Sequence, residues 1–325
     1  MNLLITAASR RVPLIRAFMR ALRETNRGGA VITTDVDPLS PGLYVSDRHY
    51  HVSLATAPEY IEQIKGLCRE EHVSLVIPTI DEELPLFGRL REEFAELGVT
   101  VLVSRAEVAE ICNDKYLTYQ FFKAHDIPTP ETYLPEEVLS HDLSYPLFLK
   151  PRRGRGSVGA YMLHNRRELE FFLDYVDDPI VQRYVDGSEY TIDVLCDFES
   201  KLISAVPRER IVIRSGVTDR GRTRRDLVLI KHAYRIVEAL RPVGPINIQC
   251  KVEDGRPEFF EINPRFSGGI PLTIAAGARF PHWVLDMAEG KQVPYQNGQF
   301  TDNLTMLCYE DAIFRAPDKD LAANL

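Results

Sequence analysis

The chain reads Glu-Ile-Asn-Pro-Arg from Glu261 to Arg265, directly after the apolar pair Phe259 and Phe260. A turn-like sequence at residues 253–256 precedes this stretch, which is therefore typical of the outgoing strand of a β-hairpin. Residues two apart in a strand point to the same side, so Glu261 and Asn263 are expected to share one face. Both side chains supply oxygen atoms.

The incoming strand of this hairpin, residues 246–252, offers Gln249 as a third oxygen donor. Arg265 follows as a fixed cation of a shape that suits phosphate oxygens. Mg²⁺ keeps few protein ligands and completes its shell with phosphate and water, so this set suits a cation that carries a nucleotide. The alternative is a surface hairpin whose carboxylate caps a turn.

The composition narrows the class of protein. With 325 residues, 45% apolar and 26% charged, the sequence is typical of a soluble protein of two or three packed subdomains. A formal charge of -8 argues against a nucleic-acid partner. The five cysteines form no Cys-x-x-Cys pair, which indicates reduced thiols and a cytoplasmic location. We see no signal-peptide pattern and no membrane-spanning stretch, so no membrane partner is expected.

The first third of the sequence alternates short apolar runs with helical patterns, which predicts a parallel sheet with helices on both faces. Strands are expected at 3–5, 30–33, 75–77 and 99–103, and helices at 13–23, 58–70 and 82–97.

Ligands of such sheets gather where strands end, at residues 6–11 and 78–83 here. The first loop contains Arg10 but lacks Gly-x-Gly-x-x-Gly, which argues against a dinucleotide. Glu82 lies in the second loop and either contacts substrate or favours the start of its helix.

The pattern changes near Ser104, where we place a domain boundary. Two helices are expected at 106–112 and 115–125, followed by a strand that ends in Lys150. The turn Arg152–Gly159 contains three glycines, which let backbone N–H groups approach an anion closely. It is not a Walker pattern, and the rival interpretation is an Arg-Gly-rich segment that binds nucleic acid.

Antiparallel strands are expected at 189–196 and 202–207, followed by Arg208 and Arg210. Arg208 is expected to end its strand facing the cleft, although either Arg has the alternative of pairing with surface acids. Residues 215–225 read as a polar loop long enough to act as a lid. The stretch Ser267-Gly268-Gly269 opens a helix, and its N–H groups either hold a carboxylate or the glycines only permit a tight turn.

Several short segments follow one another in an order that resembles the ATP-grasp superfamily over nearly the whole chain, most closely its stand-alone ligases of the carbamoyl-phosphate-synthase-like branch. The segments are Asn113-Asp114-Lys115, Phe148-Leu149-Lys150-Pro151, the glycine-rich turn, 182–190 (QRYVDGSEY), Asn247-Ile248-Gln249 and Glu261–Arg265.

The resemblance implies a Rossmann-like pre-ATP-grasp domain at 1–105 and a small ATP-grasp subdomain with a glycine-rich flap at 106–185. A C-terminal ATP-grasp subdomain with the metal and phosphate site is implied at 186–325. ATP would lie between two antiparallel sheets, so the fold class is α/β combined with α+β.

The resemblance also implies roles for individual residues. Lys115 and Lys150 would contact phosphates, and the turn with Arg153, Gly154, Gly156 and Ser157 would cover them. Gln182 and the backbone of Tyr184 and Val185 would meet adenine, with Glu189 on the ribose. Gln249, Glu261 and Asn263 would hold Mg²⁺ or Mn²⁺, as one ion or two, and Arg265 the transferred phosphate.

The family reaction implied is formation of an acyl phosphate from a carboxylate and ATP, followed by attack of an amine to form an amide. Arg208, Arg265 and Lys150 would act in catalysis, and Arg10, Glu82, Arg210 and Ser267–Gly269 near the substrates. The alternatives are a phosphotransferase that stops at the phosphorylated product and an inactive nucleotide-binding regulator. Dimerisation is common in the family, so a homodimer is an open expectation.

Overall fold

The computed structural model describes residues 1–138, 141–296 and 298–315. The N-terminal region contains a five-stranded parallel sheet in the order β3-β2-β1-β4-β5. Its strands are β1 (Asn2–Ile5), β2 (Val31–Asp35), β3 (Arg48–His51), β4 (Val73–Ile77) and β5 (Thr100–Val101). The parallel sheet predicted from the alternating pattern is therefore confirmed.

The helices of this region are α1 (Val12–Glu24), α2 (Tyr60–Glu70), α3 (Leu84–Arg89) and α4 (Arg91–Glu96), with a 3-10 helix at Pro41–Val45. The single helix expected at 82–97 was wrong, because the chain bends at Leu90 between α3 and α4. The bend brings Phe87 and Phe94 into one core, with ring centroids 5.6 Å apart. Packing of these two rings stabilises the interruption.

The middle region forms a four-stranded antiparallel sheet in the order β6-β9-β7-β8. Its strands are β6 (Thr132–Tyr133), β7 (Leu147–Pro151), β8 (Tyr161–Leu163) and β9 (Pro179–Arg183). Its helices are α5 (Ala106–Asn113), α6 (Lys115–Ala124), α7 (Pro135–Val138) and α8 (Arg166–Tyr175). The side chain of Asp114 accepts from the N–H groups of Tyr116 and Leu117 and so fixes the start of α6 at Lys115.

The last region is built on a six-stranded antiparallel sheet in the order β14-β13-β10-β11-β12-β15. Its strands are β10 (Ser188–Cys196), β11 (Leu202–Arg214), β12 (Val217–Thr223), β13 (Gly244–Glu253), β14 (Arg256–Asn263) and β15 (Thr305–Leu307). Its helices are α9 (Leu227–Leu240), α10 (Ile270–Ala275) and α11 (Phe280–Ala288). The predicted combination of a parallel sheet with antiparallel sheets is thus confirmed.

Two expectations for this region were wrong. Most of the polar loop expected at 215–225 is strand β12, held by main-chain pairing to β11 and β15. Pairing on both sides stabilises a strand whose side chains are mainly polar. Arg208 does not end a strand, since β11 continues through Arg214.

The N-terminal region packs against the end of the chain through helix α1. Phe18 of α1 meets Phe266 edge to face, with centroids 5.8 Å apart, and both belong to one continuous core. Arg27 adds ion pairs to Asp286 and Glu289 at 2.6 and 2.7 Å. These contacts place the ends of the parallel strands beside the Glu261–Arg265 segment. Within the described part of the chain, no helix is both long enough and apolar enough to cross a bilayer.

Candidate active site

The strand register aligns one row of polar residues across the six-stranded sheet. Glu261 on β14 lies opposite Gln249 on β13, which lies opposite Thr191 on β10, which lies opposite Arg208 on β11. Residues directly opposite one another in antiparallel strands point to the same face. This row therefore defines a single polar sheet face.

A second row lies two residues further along each strand and so points to the same side. In this row Asn263 lies opposite Asn247, which lies opposite Asp193, and all three are buried. The other face carries apolar core residues such as Ile192 and Ile248. The alternation of polar and apolar residues thus separates the site from the core.

The oxygen donors expected to bind metal lie together on this face. Asn263 donates from Nδ2 to Oε1 of Glu261 at 3.0 Å and to Oδ1 of Asn247 at 3.3 Å. Gln249 is directly opposite Glu261. Among the described residues, no three His, Cys, Asp or Glu side chains are grouped to hold a metal. One carboxylate with neutral amides suits an ion that receives its remaining ligands from phosphate and water.

Lys150, at the end of β7, faces these oxygens from the four-stranded sheet. It is 6% exposed, and its ammonium lies 5.2 Å from the ring centroid of Phe260. Burial, together with the charge of Lys115, lowers its pKa to about 8, against opposing effects of Glu261 and Glu189. The site thus holds a buried cation whose charged form gains from an added anion.

Lys115 and the glycine-rich turn lie next to Lys150. The ammonium of Lys115 donates to the carbonyl oxygen of Gly154 at 2.8 Å. Arg153, expected over the phosphates, is instead paired with Asp114 at 2.9 Å and with Asp178 at 3.4 Å. These carboxylates hold the base of the turn.

The tip of the glycine-rich turn touches the tip of the β11–β12 hairpin. A Cβ atom built on Gly216 would lie 2.6 Å from the Cα atom of Gly156, so only glycine permits this approach. Both residues have positive φ, 74° and 70°, as does the neighbouring Ser157 at 59°. The two turns therefore meet over one side of the site.

Arg208 lies within a buried network. It is 1% exposed and donates from Nε to Asp193 at 2.6 Å and from Nη2 to the hydroxyl of Ser267 at 3.0 Å. The expected surface pairing is therefore not observed. Nη1 of Arg208 is buried and has no acceptor among the described residues, and a Cβ atom on Gly269 would lie 2.4 Å from it.

Arg210, expected near substrate, is paired with Glu189, the residue expected on the ribose. It also donates to the carbonyl oxygen of Gly216 at 2.6 Å and so supports the hairpin tip. Gln182 is buried on β9, opposite Phe148 and on the same face as Lys150, and it donates to Thr132 at 2.8 Å.

The segment after β9 is held by Lys251 of β13. Its ammonium donates to the carbonyl oxygen of Val185 at 2.9 Å and lies 4.5 Å from the ring centroid of Tyr184. Main-chain groups expected to meet adenine are thus positioned by a side chain of the six-stranded sheet.

Arg265 connects the polar sheet face to the N-terminal region. It donates from Nε and Nη2 to both carboxylate oxygens of Asp81, at 2.9 and 2.8 Å, and from Nη2 to Oδ1 of Asn263 at 3.2 Å. Arg11 lies beside it and donates to the carbonyl oxygen of Thr79 at 2.9 Å. Burial, and then the charge of Arg265, lower the pKa of Arg11.

The residues expected near the substrates differ in their exposure and in their contacts. Arg10 is exposed, whereas its neighbour Arg11 faces Arg265. Glu82 is half-exposed and pairs with Arg155 of the glycine-rich turn at 3.2 Å. Ser267 is engaged by Arg208, and a Cβ atom on Gly268 would lie 2.9 Å from Val217. Gly268 and Gly269 therefore lie in close contact with side chains of β12 and β11.

Sequence reasoning did not single out Asp81, Arg11, Asp193 and Asn247 individually. The signal for Asp193 and Asn247 is the alternation with period two in which Thr191 and Gln249 take part. Arg11 and Asp81 lie in the two loops that the strand ends predicted, but their contacts depend on how the regions pack.

Comparison with known proteins agrees with this architecture. Residues 176–310 match the family described as "ATP-grasp in the biosynthetic pathway with Ter operon", and residues 3–102 match the "PylC-like, N-terminal domain". The carbamoyl phosphate synthase large chain of Thermoanaerobacter sp. strain X514 is 25% identical over 296 residues, which cover 84% of this chain and 27% of the relative. The chain thus spans about a quarter of the length of such curated relatives.

Solved structures share the fold at low identity. The biotin carboxylase domain of Hydrogenobacter thermophilus 2-oxoglutarate carboxylase has a TM-score of 0.72 and 18% identity, covering 93% of this chain and 73% of that one. The L-amino acid ligase of Bacillus licheniformis has a TM-score of 0.70 and 19% identity, covering 89% and 74%. The resemblance inferred from the sequence is confirmed.

Proposed function

We propose that this chain is an ATP- and Mg²⁺-dependent carboxylate–amine ligase. It contains an ATP-grasp domain that follows a PylC-like N-terminal domain, and it is homologous to carbamoyl phosphate synthase large chains. It would form an amide through an acyl phosphate and release ADP and phosphate. The observation that carries the proposal is the buried Lys150 facing Glu261, with Gln249 and Asn263 beside that carboxylate. Cations and oxygen donors converge where a triphosphate would need both.

The donor set fits Mg²⁺, or Mn²⁺, brought in by the nucleotide. Glu261 supplies the carboxylate, and Gln249 and Asn263 supply amide oxygens on the same face. When bound, such an ion neutralises phosphate charge and helps align the terminal phosphoryl group. A single carboxylate favours one tightly held ion, since a second would find little further negative charge on this face.

Residues of this chain would do the remaining work through position and charge, which dominate phosphoryl transfer. Lys150 and Lys115 would hold phosphate oxygens, and Gly154, Gly156 and Ser157 would bring main-chain N–H groups over them. Arg265 would stabilise charge on the transferred group. Arg208 has its buried Nη1 available as a donor to the oxyanion of the intermediate.

The nucleoside would lie between the two antiparallel sheets. Gln182 shares the face of Lys150 and is proposed to contact adenine, together with the main chain of Tyr184 and Val185. Glu189 is proposed to accept from the ribose hydroxyls, for which it would exchange its partner Arg210. The biotin carboxylase domain above was solved with MgADP, which supports a nucleotide in this fold.

The reaction would proceed in two displacements. A carboxylate oxygen attacks the γ-phosphorus, the bond to the β,γ-bridging oxygen breaks, and ADP leaves. The amine nitrogen then attacks the acyl carbon, the C–O bond breaks, inorganic phosphate leaves, and the nitrogen loses a proton to solvent. The partners are accordingly small molecules, one carboxylate and one amine, and a homodimer stays a prediction.

ADP release in the presence of panels of carboxylates and amines tests the proposal. We expect release to require a carboxylate, and hydroxylamine to trap the acyl phosphate as a hydroxamate. Hydroxamate without amide formation would instead indicate a phosphotransferase that stops at the phosphorylated product. If ATP binds but no pair of carboxylate and amine supports its turnover, the result would favour an inactive nucleotide-binding regulator.

A further inference from the structure

Two guanidinium groups meet where the N-terminal loop reaches the Glu261–Arg265 segment. Arg11 donates from Nη1 to the carbonyl oxygen of Phe266 at 3.3 Å, and Arg265 donates from Nη1 to the same oxygen at 3.2 Å. Two like charges held against one neutral acceptor repel each other. An additional anion at this point therefore binds favourably.

The nearby carboxylates do not form ion pairs with both of these guanidinium groups. Both oxygens of Asp81 are taken by Arg265, and Glu82 is paired with Arg155. Within residues 1–138, 141–296 and 298–315, Arg11 donates to carbonyl oxygens and has no carboxylate within ion-pair distance. Burial and the charges of Arg265 and Arg155 lower the pKa of Arg11, against an opposing effect of Asp81. The guanidinium of Arg11 stays charged at neutral pH and shares the negative charge of Asp81 with Arg265.

The contacts of Arg265 connect the guanidinium of Arg11 to the proposed site of phosphoryl transfer. Its Nη2 contacts Asn263 on the polar sheet face, while its Nη1 shares the Phe266 oxygen with Arg11. A carboxylate reacting beside Asn263 is therefore on one side of Arg265, and Arg11 is on the other. Two anionic groups of one small molecule would therefore each meet a guanidinium group.

We propose that Arg11 binds a second carboxylate on the substrate whose first carboxylate is phosphorylated, so that the activated substrate is a short diacid. This inference rests on the proposed ligase function and assigns its substrate class. The second carboxylate undergoes no chemistry and fixes the orientation of the first. Arg11 is thus a specificity-determining residue.

The test compares diacids with their monoamides, which differ by one negative charge at similar shape. Suitable pairs are succinate and succinamate, L-aspartate and L-asparagine, and L-glutamate and L-glutamine. Wild type, Arg11→Gln, Arg11→Lys and Arg16→Gln, at an exposed position of α1, are compared. Binding is measured by calorimetry without ATP, and KM and kcat for ADP release are measured with ATP.

We expect wild type to prefer at least one diacid over its monoamide by about tenfold or more, as lost charged hydrogen bonds usually cost. Arg11→Gln is expected to remove this preference with the KM for ATP unchanged. Arg11→Lys should retain part of this preference, and Arg16→Gln should retain all of it. A purely structural role of Arg11 would change thermal stability but not the ratio.

Three outcomes would overturn the inference: no diacid preference in wild type, an unchanged preference in Arg11→Gln, or a raised KM for the amine alone. ADP release without diacid preference would leave the ligase proposal intact and reject this one. Diacid binding that depends on Arg11 but is accompanied by no ADP release would reject the ligase proposal and would leave Arg11 as the site that binds the second carboxylate.

Discussion

Arg11 and Arg265 donate hydrogen bonds to one acceptor, the main-chain carbonyl oxygen of Phe266. One guanidinium comes from the loop after β1 and the other from the segment after β14. The contact joins the ends of the parallel strands to the polar sheet face. The substrate contact proposed for Arg11 and the phosphate contact proposed for Arg265 would therefore meet at a single peptide group.

Glu261→Ala is expected to abolish Mg²⁺-dependent ADP release while leaving the fold intact. The substitution removes the one carboxylate among the proposed metal ligands, and Asn263 loses an acceptor 3.0 Å away. Activity is measured as ADP release across a Mg²⁺ titration, and folding by circular dichroism. Asp254→Asn, in the exposed turn of the same hairpin, is the control and should behave like wild type. Unchanged turnover in Glu261→Ala would refute the metal assignment.

Lys150→Met is expected to lose ATP binding and yet to gain stability at pH 7. Burial lowers the pKa of Lys150 from 10.5 to about 8, so the unfolded chain binds more protons between these values. The free energy of unfolding of the wild type therefore rises with pH between about 8 and 10.5. Below this range the full cost of burying the charged ammonium applies. We expect a gain on the order of 1–3 kcal/mol at pH 7 that disappears above pH 10.5.

Urea unfolding of both proteins at a series of pH values measures this difference, and calorimetry with ATP measures the loss of binding. A Lys150→Met protein less stable than wild type at pH 7 would contradict the inferred cost of burying the ammonium.

Glu83→Gln is expected to flatten the pH dependence of stability between about 4.5 and 7. Glu83 is buried and accepts from Tyr60 and from Thr6, and burial raises its pKa from 4.5 to about 7. The folded chain binds more protons in this window, so stability falls as pH rises through it. The Gln variant carries no such proton, and urea unfolding at pH 5 and pH 8 should show the smaller change. Equal slopes would show that Glu83 does not titrate there.

Asp193→Ala is expected to destabilise the fold by about 3–5 kcal/mol, because it leaves Arg208 as a buried cation without its partner. Combining Asp193→Leu with Arg208→Met should recover much of the loss, as measured by urea unfolding. The folded double variant then tests catalysis separately. We expect its ADP release to fall by about a hundredfold if Nη1 of Arg208 supports the intermediate.

Gly216→Ala is expected to raise the KM for ATP while the protein stays folded. The new methyl group would lie 2.6 Å from the Cα atom of Gly156 and would separate the two turns. Gly290→Ala is a matched control, since Gly290 also has a φ of 74° but no atom within 4 Å of the added Cβ. Both variants bear a similar backbone strain, so equal kinetic effects would exclude the contact between the turns as the cause.

Much of the fold was predictable because it rests on local periodicity. The alternation of strands and helices identified the parallel sheet, and the turn-like sequence at 253–256 identified the hairpin that carries Glu261 and Asn263. The position of Gln249 opposite Glu261 is set by main-chain pairing between two adjacent strands. The register shift between Gln249 and Cys250 that produces this pairing has no signal in the sequence.

Other features depended on packing between distant segments. The pairing of Arg208 with Asp193 requires the β10–β11 register, and the choice of Arg11 over Arg10 depends on how α1 packs against Phe266. Strand β12 escaped detection because main-chain pairing to β11 and β15, rather than apolar side chains, stabilises it. No sequence pattern encodes these contacts individually.

The placement of Asn247, Gln249, Glu261 and Asn263 on paired strands has a consequence for how such an enzyme diversifies. Their spacing is fixed by the ladder of peptide hydrogen bonds, which tolerates replacement of residues elsewhere. The loop with Arg11 follows β1 of the parallel sheet, and loops vary more readily than paired strands. If the chain is the proposed ligase, changes in this one loop would alter which acid is bound while the residues that activate it stay in place.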